Sequence, residues 1–181
     1  MAERQIIVDH LRLVYEGLFD ITQLYTLINE WMREKGYDKK ERKNVESITP
    51  NGKYLELELE PWKKITDYAK FVLKLRIIMK DIKDVEVERD GSKVKLNQGH
   101  ITIVFDGYFE TDYENRWEQK PTFFFIRTLF DKFVFKPYTE RFKGRLIGEV
   151  NELHSLVKGF LNLYRYSTEA WTAPGNLFPS P

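Results

Sequence analysis

The residues best suited to acid–base or metal chemistry lie close together near the middle of the sequence. Asp106, Tyr108 and Glu110 alternate with other residues, as the side chains on one face of a β-strand do. Two carboxylates on one face could hold a metal ion or divide the roles of acid and base. The alternative is a solvated face whose carboxylates pair with lysines on neighbouring strands, each pair contributing roughly 0.2–1 kcal/mol. The sequence favours this second interpretation and leaves the first open.

No other pattern in the sequence indicates a particular reaction. His10, His100 and His154 are far apart and have no metal-binding spacing, so we expect structural or surface roles for them. The absence of cysteine excludes a thiol nucleophile, and there is no glycine-rich phosphate loop or serine elbow. The sequence therefore predicts no metal and no cofactor, and it favours a non-catalytic role while leaving an enzyme open.

Aromatic residues are concentrated in segment 121–142. Read as a helix, this segment carries one apolar line made of Phe123, Ile126, Phe130 and Phe133. Further phenylalanine and leucine residues widen the line beyond what a single amphipathic face needs. We therefore expect the surface to be buried on more than one side by the fold, a partner or a lipid.

A long helix is predicted over about 140–166. Pro137 should interrupt the helix before it, and Thr139 can cap the new one. Six residues recur in alternating steps of four and three, the a/d spacing of a coiled-coil-like seam: Leu146, Val150, Leu153, Val157, Phe160 and Tyr164. This seam predicts interaction with another apolar surface.

The tail 167–181 has little propensity for regular structure and is expected to be extended. Trp171 and Phe178 are its large aromatic residues, and three prolines reduce the entropy lost when an extended segment docks. The tail is therefore interpreted either as a docking peptide, for its own fold, a second copy or another protein, or as a frayed end.

The elements that would position these residues follow from periodicity. A strand is predicted over 5–18 and a helix over 21–35, with Asp20 as its N-cap. Alternating strands then follow up to about residue 110, with turns predicted at Asp90-Gly91 and Gln98-Gly99. The middle of the chain is thus predicted to be an antiparallel meander with one apolar face.

Composition limits the classes of protein. The chain has 181 residues, of which 42% are hydrophobic and 31% charged, enough for one domain with a buried core. A net charge of +1 creates no strong field, so we expect no nucleic-acid partner. No apolar run suits a signal peptide or a transmembrane segment, which predicts a cytoplasmic protein. The lysine- and glutamate-rich, cysteine-free composition resembles that of thermophile proteins.

The predicted fold is α+β: an antiparallel β-meander packed against helices, with a long C-terminal helix. One domain over 1–166 is expected, followed by the tail 167–181. The order of elements resembles the helix-grip arrangement of START-like and polyketide-cyclase-like domains, over about residues 5–166 and without a shared motif. That resemblance implies a cavity between the sheet and the long helix that takes an apolar small molecule or lipid.

Two functions follow from these patterns. The first is a non-catalytic interaction or assembly protein that self-associates, or docks a protein partner, through its aromatic-rich C-terminal helices and tail. The alternative is a helix-grip-like binder of an apolar small molecule or lipid, with an enzymatic role left open.

Overall fold

The computed structural model describes residues 3–66, 68–89, 92–111 and 136–172. These residues form six strands and two helices: β1 Glu3–Phe19, α1 Ile21–Glu34, β2 Glu41–Thr49, β3 Gly52–Leu59, β4 Trp62–Lys64, β5 Ala69–Arg89, β6 Ser92–Thr111 and α2 Lys136–Thr172.

The strands form one antiparallel sheet in the order β1-β6-β5-β3-β2, and β4 pairs with β5. The inner face of the sheet is the one turned toward the two helices, and the opposite face is the outer face. Helix α2 lies against β1 and β6 and also contacts α1. The predicted α+β fold, with an antiparallel sheet and a long C-terminal helix, is confirmed.

Strict alternation decides which side chains of the sheet become buried. In β1, Leu13 and Tyr15 are buried on the inner face, while Arg12 and Val14 between them are exposed. The same rule applies to β5 and β6, whose inward side chains form the centre of the core: Phe71, Leu73, Leu75, Ile77, Ile101, Ile103, Phe105 and Phe109. Burying one such side chain contributes roughly 1.5–3 kcal/mol before the entropy loss is subtracted.

Helix α1 forms where its capping residues predict it. The Asp20 side chain accepts a hydrogen bond of 3.0 Å from the backbone N–H of Gln23, which satisfies a donor left free at the helix start. Gly36 follows the last turn with φ of 73°, a conformation that glycine adopts without steric cost. Leu24 and Ile28 face the core and are buried.

The turn predicted at Gln98-Gly99 is wrong, because β6 runs without a break from Ser92 to Thr111. Gly99 serves close packing instead of a turn. A Cβ atom on it would lie 2.5 Å from Ile82 Cδ1 and 2.8 Å from the Lys80 carbonyl oxygen. That crowding comes from the irregularity in β5 between Lys80 and Lys83. Arg89 pairs with Ser92, and the predicted Asp90-Gly91 turn between them lies outside the described residues.

Helix α2 begins earlier and ends later than the sequence indicates. It starts at Lys136, so Pro137 sits in the first turn, where its missing N–H has no helical partner to lose. Thr139 is therefore inside the helix, and its expected role as the cap is wrong. The helix ends at Thr172, so the first six residues of the tail expected to be extended are helical. Residues 173–181 lie outside the described residues.

None of the helices in the described part of the chain has the length and apolar character required to span a bilayer.

Candidate functional site

The three residues of the predicted acidic site lie on one face of β6 but have different neighbours. Glu110 belongs to a ladder of charges on the outer face, with Lys70 Nζ at 2.9 Å and Arg4 Nε at 3.3 Å from its carboxylate oxygens. Tyr108 lies beneath the Arg4 guanidinium, whose central carbon is 3.8 Å from the ring centroid. Burial, followed by the nearby Asp106 carboxylate, raises the pKa of Tyr108. The acid–base role considered for these residues stays a prediction.

Asp106 has different neighbours. Its side chain is 3% exposed, and its Oδ1 accepts a hydrogen bond of 2.7 Å from the backbone N–H of His10 on β1. The predicted trio therefore divides into a surface ladder, containing Glu110, and a separate buried carboxylate beside the edge strand. Neither of the two pockets described below is lined by any of these three residues.

The seam of α2 is occupied by the chain's own sheet. Leu146, Val150, Leu153 and Val157 are each no more than 1% exposed and belong to the core. Phe160 packs against that core, and the Tyr164 hydroxyl donates a hydrogen bond of 3.0 Å to Gln23 Oε1 on α1. These side chains thus meet an apolar surface within one molecule. Self-association through them stays a prediction.

Most of the other residues proposed for interaction are not placed by the structure. Phe123, Ile126, Phe130 and Phe133 lie outside the described residues, as does Phe178. Trp171 falls in the last turn of the α2 backbone.

A buried ion pair that the sequence did not indicate connects α2 to the sheet. Lys63 on β4 places its Nζ 2.7 and 2.8 Å from the two carboxylate oxygens of Glu149 on α2. The Tyr37 hydroxyl donates to the same carboxylate at 2.6 Å, and Arg145 Nε donates at 3.0 Å. Lys63 and Glu149 are each 7% exposed. We call these four residues the buried network after its buried centre, since the Arg145 side chain at its edge is 57% exposed.

The buried network keeps Glu149 ionised. Burial acts to raise the pKa of Glu149, but hydrogen bonds from Lys63, Tyr37 and Arg145 outweigh burial and lower it. Burial lowers the pKa of Lys63, and Glu149 opposes that shift. Burial and the hydrogen bond to Glu149 raise the pKa of Tyr37, which therefore stays protonated as a donor.

The geometry of the buried network suits a structural anchor. Lys63 Nζ also donates to the Lys35 carbonyl oxygen at 3.1 Å, so all three ammonium protons have acceptors. An amine in this state has no lone pair with which to attack a substrate. Trp31 stacks on Tyr37 with ring centroids 5.6 Å apart, and its buried Nε1 has no acceptor among the described residues.

An apolar groove of about 270 Å³ opens between α1 and the inner face of β3 and β5. Leu55 and Leu57 of β3 form part of its wall and remain half-buried, although they point to the same face as the core. Ile77 and Met79 on β5 form the floor and are at most 6% exposed. The groove is lined on the α1 side by Ile21, Leu24 and Ile28. We call this space the α1 groove.

The α1 groove also has polar lining residues. They are Thr22, Tyr25, Asn44 and Glu56. The Lys39 ammonium lies 4.4 Å from the centroid of the Tyr25 ring and donates a hydrogen bond to the Tyr25 hydroxyl. A cation thus lies beside Tyr25, one of the lining residues, and is also 3.8 Å from the Glu41 carboxylate.

A larger pocket of about 830 Å³ lies at the end of the sheet, between β1, β6 and the later part of α2. Its wall carries Lys83 and Lys158 as well as Glu16 and Asp81. His100 Nδ1 lies 3.4 Å from Glu16 Oε2 at the same place. Charges of both signs on an open surface select no particular ligand, so this pocket is a weaker candidate than the α1 groove.

Sequence reasoning could have found parts of these sites. The inward alternation of Leu55 and Leu57 and the apolar face of α1 both indicate surfaces that must meet, but not that they leave a groove. The buried network had no sequence signal, because Lys63 and Glu149 are 86 residues apart and each resembles a surface charge.

Comparison with known proteins adds no assignment. No protein-family model matches the chain, and neither a curated protein nor a solved structure matches it.

Proposed function

We propose that this protein binds an apolar or amphipathic small molecule in the α1 groove. The observation that carries the proposal is the half-buried state of Leu55 and Leu57, which lie next to the buried Ile77 and Met79 on the same face of the sheet. Apolar side chains held in water on the concave side of a fold are the usual lining of ligand pockets. Each square ångström of that surface removed from water by a ligand contributes about 25 cal/mol.

The form of the α1 groove supports a ligand with a hydrocarbon part. Its volume of about 270 Å³ is close to the lower end of the roughly 300–1,000 Å³ typical of ligand sites. Its floor at Ile77 and Met79 offers no hydrogen-bonding group, so specificity in the interior would come from shape and size. Lys39 at the rim would favour a polar or anionic head group over a second apolar end.

Chain length provides the sharpest test of this proposal. Calorimetric titration with n-alkanols should show affinity rising about fourfold per methylene, because each buried methylene contributes about 0.8 kcal/mol, until the chain outgrows the groove. The n-alkanoates of equal length should bind more tightly if Lys39 contacts the head group, and Lys39→Gln should remove that difference.

Two leucine variants locate the binding. Leu57→Gln puts a polar amide in the α1 groove and should abolish the dependence on chain length. Leu156→Gln makes the same change on α2, away from the groove, where the leucine is 39% exposed, and should leave the affinity unchanged. Wild-type protein that binds no alkanol, or equal effects of both variants, would refute the proposal.

Assembly with a second copy is the other candidate function, and one observation favours it. Residues 41–48 of edge strand β2 are all exposed, including Ile48 at 86% and Val45 at 40%. An exposed edge with apolar side chains is a surface on which another strand can pair. Light scattering at high micromolar concentration distinguishes the two functions, since a monomer that binds alkanols supports the first alone. The cytoplasmic location stays a prediction.

A further inference from the structure

Three potential metal ligands meet on the outer face of the sheet, at an irregularity in edge strand β1. The register of β1 against β6 shifts between Val8 and Leu11, and His10 there has φ of 52°. A hydrogen bond joins the Asp9 carboxylate and His10 Nδ1. The same nitrogen lies 3.6 Å from Asp106 Oδ1. One ligand atom from each of these three residues lies within 4.8 Å of the other two.

The charge on Asp106 is a second and independent observation. Other shielded carboxylates of this sheet have a lysine or arginine partner: Glu56 pairs with Lys43, Glu58 with Lys74, Glu60 with Arg42, and Glu110 with Lys70. Asp106 is more deeply buried than any of these and has no lysine or arginine partner among the described residues. Lys74, its neighbour in register on β5, points its Nζ to Glu58 at 2.9 Å instead.

A buried carboxylate with no lysine or arginine partner is costly, because its charge has lost water and receives one backbone hydrogen bond, from His10, whose Nδ1 lies 3.6 Å away. Buried charges in proteins are normally paired or coordinate a metal. The side chains of Asp9 and His10 are 66% and 68% exposed, so a cation can reach Asp106 from solvent along this edge of the sheet.

We propose that Asp9, His10 and Asp106 bind one divalent transition-metal ion, with Zn²⁺ as the preferred metal. An imidazole nitrogen and two carboxylate oxygens form a donor set that Zn²⁺ accepts at about 2.0–2.2 Å. Two carboxylates balance the charge of the ion. The imidazole disfavours Mg²⁺ and Ca²⁺, which take oxygen ligands. Binding opens the Asp9–His10 hydrogen bond so that both side chains turn toward the ion, and the remaining coordination positions face water.

This site lies on the opposite face of the sheet from the α1 groove and does not depend on the function proposed for it. The same two strands provide a built-in control. His100 on β6 and Glu16 on β1 also form a histidine–carboxylate pair at 3.4 Å, but no buried carboxylate accompanies them in the described part of the chain. A site that requires Asp106 should therefore distinguish these two pairs.

The experiment is calorimetric titration of the full chain with ZnCl₂ near neutral pH, with MgCl₂ in parallel. We expect one equivalent of Zn²⁺ to bind and Mg²⁺ to bind far more weakly. Asp9→Asn and His10→Ala change exposed side chains and should each weaken Zn²⁺ binding at least about tenfold. Asp106→Asn should do the same, and circular dichroism establishes that each variant is folded.

The control variants His100→Ala and Glu16→Gln should bind Zn²⁺ as the wild type does. Titration with Co²⁺ adds a direct readout, because its visible absorption bands should appear with the wild type and be lost in His10→Ala. No saturable Zn²⁺ binding by the wild type would overturn the proposal. So would binding that survives in Asp9→Asn and His10→Ala, or that is lost in His100→Ala.

Discussion

Helices α1 and α2 pack on the same face of one sheet, but they cover it differently. Under α2, four seam residues are almost fully buried, and the buried network fills the polar gap between helix and sheet. Beside α1, Leu55 and Leu57 keep part of their surface in water and an apolar groove of about 270 Å³ remains. The inner face is sealed under these seam residues and open beside α1, while the larger pocket of about 830 Å³ lies at the end of the sheet near the later part of α2. We call the part under the seam residues the sealed half and the part beside α1 the open half.

This difference in coverage lets one core combine a rigid anchor, the buried network under α2, with an open site, the α1 groove. Helix α1 has 14 residues and is about 21 Å long, against 37 residues and about 55 Å for α2. The shorter helix cannot cover the inner face as far as β2, where Ile48 is 86% exposed. Directional bonds to Glu149 fix α2 in place, whereas α1 lines the α1 groove with three aliphatic side chains together with Thr22 and Tyr25.

The largest expected effect comes from breaking the anchor. Glu149→Ala leaves the Lys63 ammonium buried without its carboxylate and should lower the free energy of unfolding by about 3–5 kcal/mol. Urea denaturation measures this loss. The control is Glu152→Ala on the same helix as Glu149. It removes an exposed carboxylate that lies 2.7 Å from Lys35, and it should change the free energy of unfolding little.

A double replacement shows whether the stability of the anchor depends on its charges or on its packing. Lys63→Met with Glu149→Leu removes both charges and should recover most of the stability lost in Glu149→Ala. If the double variant is as unstable as the single one, the buried network does more than neutralise its own charges. Equal stability of Glu149→Ala and wild type would show that the sealed half does not depend on it.

A smaller effect is expected from overfilling the sealed half. A Cβ atom on Gly107 would lie 3.3 Å from Val150 Cγ2 and 3.4 Å from Val8 Cβ, so Gly107→Ala should destabilise the protein by about 1–3 kcal/mol. Gly148→Ala on the exposed side of α2 meets no atom within 4 Å and should stabilise by about 0.5–1 kcal/mol through helix propensity. If both substitutions change the free energy of unfolding in the same direction, α2 can move away from the sheet.

The smallest effect is expected from overfilling the open half. Leu57→Phe adds volume where the α1 groove has space, so it should change the free energy of unfolding by less than about 1 kcal/mol and weaken alkanol binding. Leu73→Phe makes the same change on β5, where Leu73 is 1% exposed and pairs with Gly107, and should cost about 1–3 kcal/mol. Similar losses from the two variants would contradict the distinction between the halves.

The sequence could predict the local elements because their causes are local. Asp20 and Gly36 mark the ends of α1 through backbone geometry and capping, which depend on a few neighbouring residues. Alternation in β1, β3, β5 and β6 assigned the inner face correctly, since the side chains of a strand alternate by geometry. One prediction that failed concerns long-range packing: Gly99 resembles a turn residue, and only the neighbouring strand β5 explains its place in a strand. The start and end of α2 were also predicted wrongly, although helix ends depend on local sequence.

The candidate sites depended on tertiary structure for the same reason. Asp106 was recognised as a residue capable of chemistry, but its neighbours in sequence, Tyr108 and Glu110, are not its partners. Its partner His10 is 96 residues away and is brought to it by the pairing of β1 with β6. A sequence records which side chains can carry charge, and only the fold decides which charges lose water together.

By itself the sequence therefore determined the α+β class, the ends of α1 and the apolar face of the sheet, all of which follow from the period of side chains along the backbone. Only the tertiary structure decided that the α2 seam is used within the molecule, that Lys63 and Glu149 form an anchor, and that the α1 groove stays open. These outcomes depend on how completely two surfaces match when they meet, and neither surface alone contains that information.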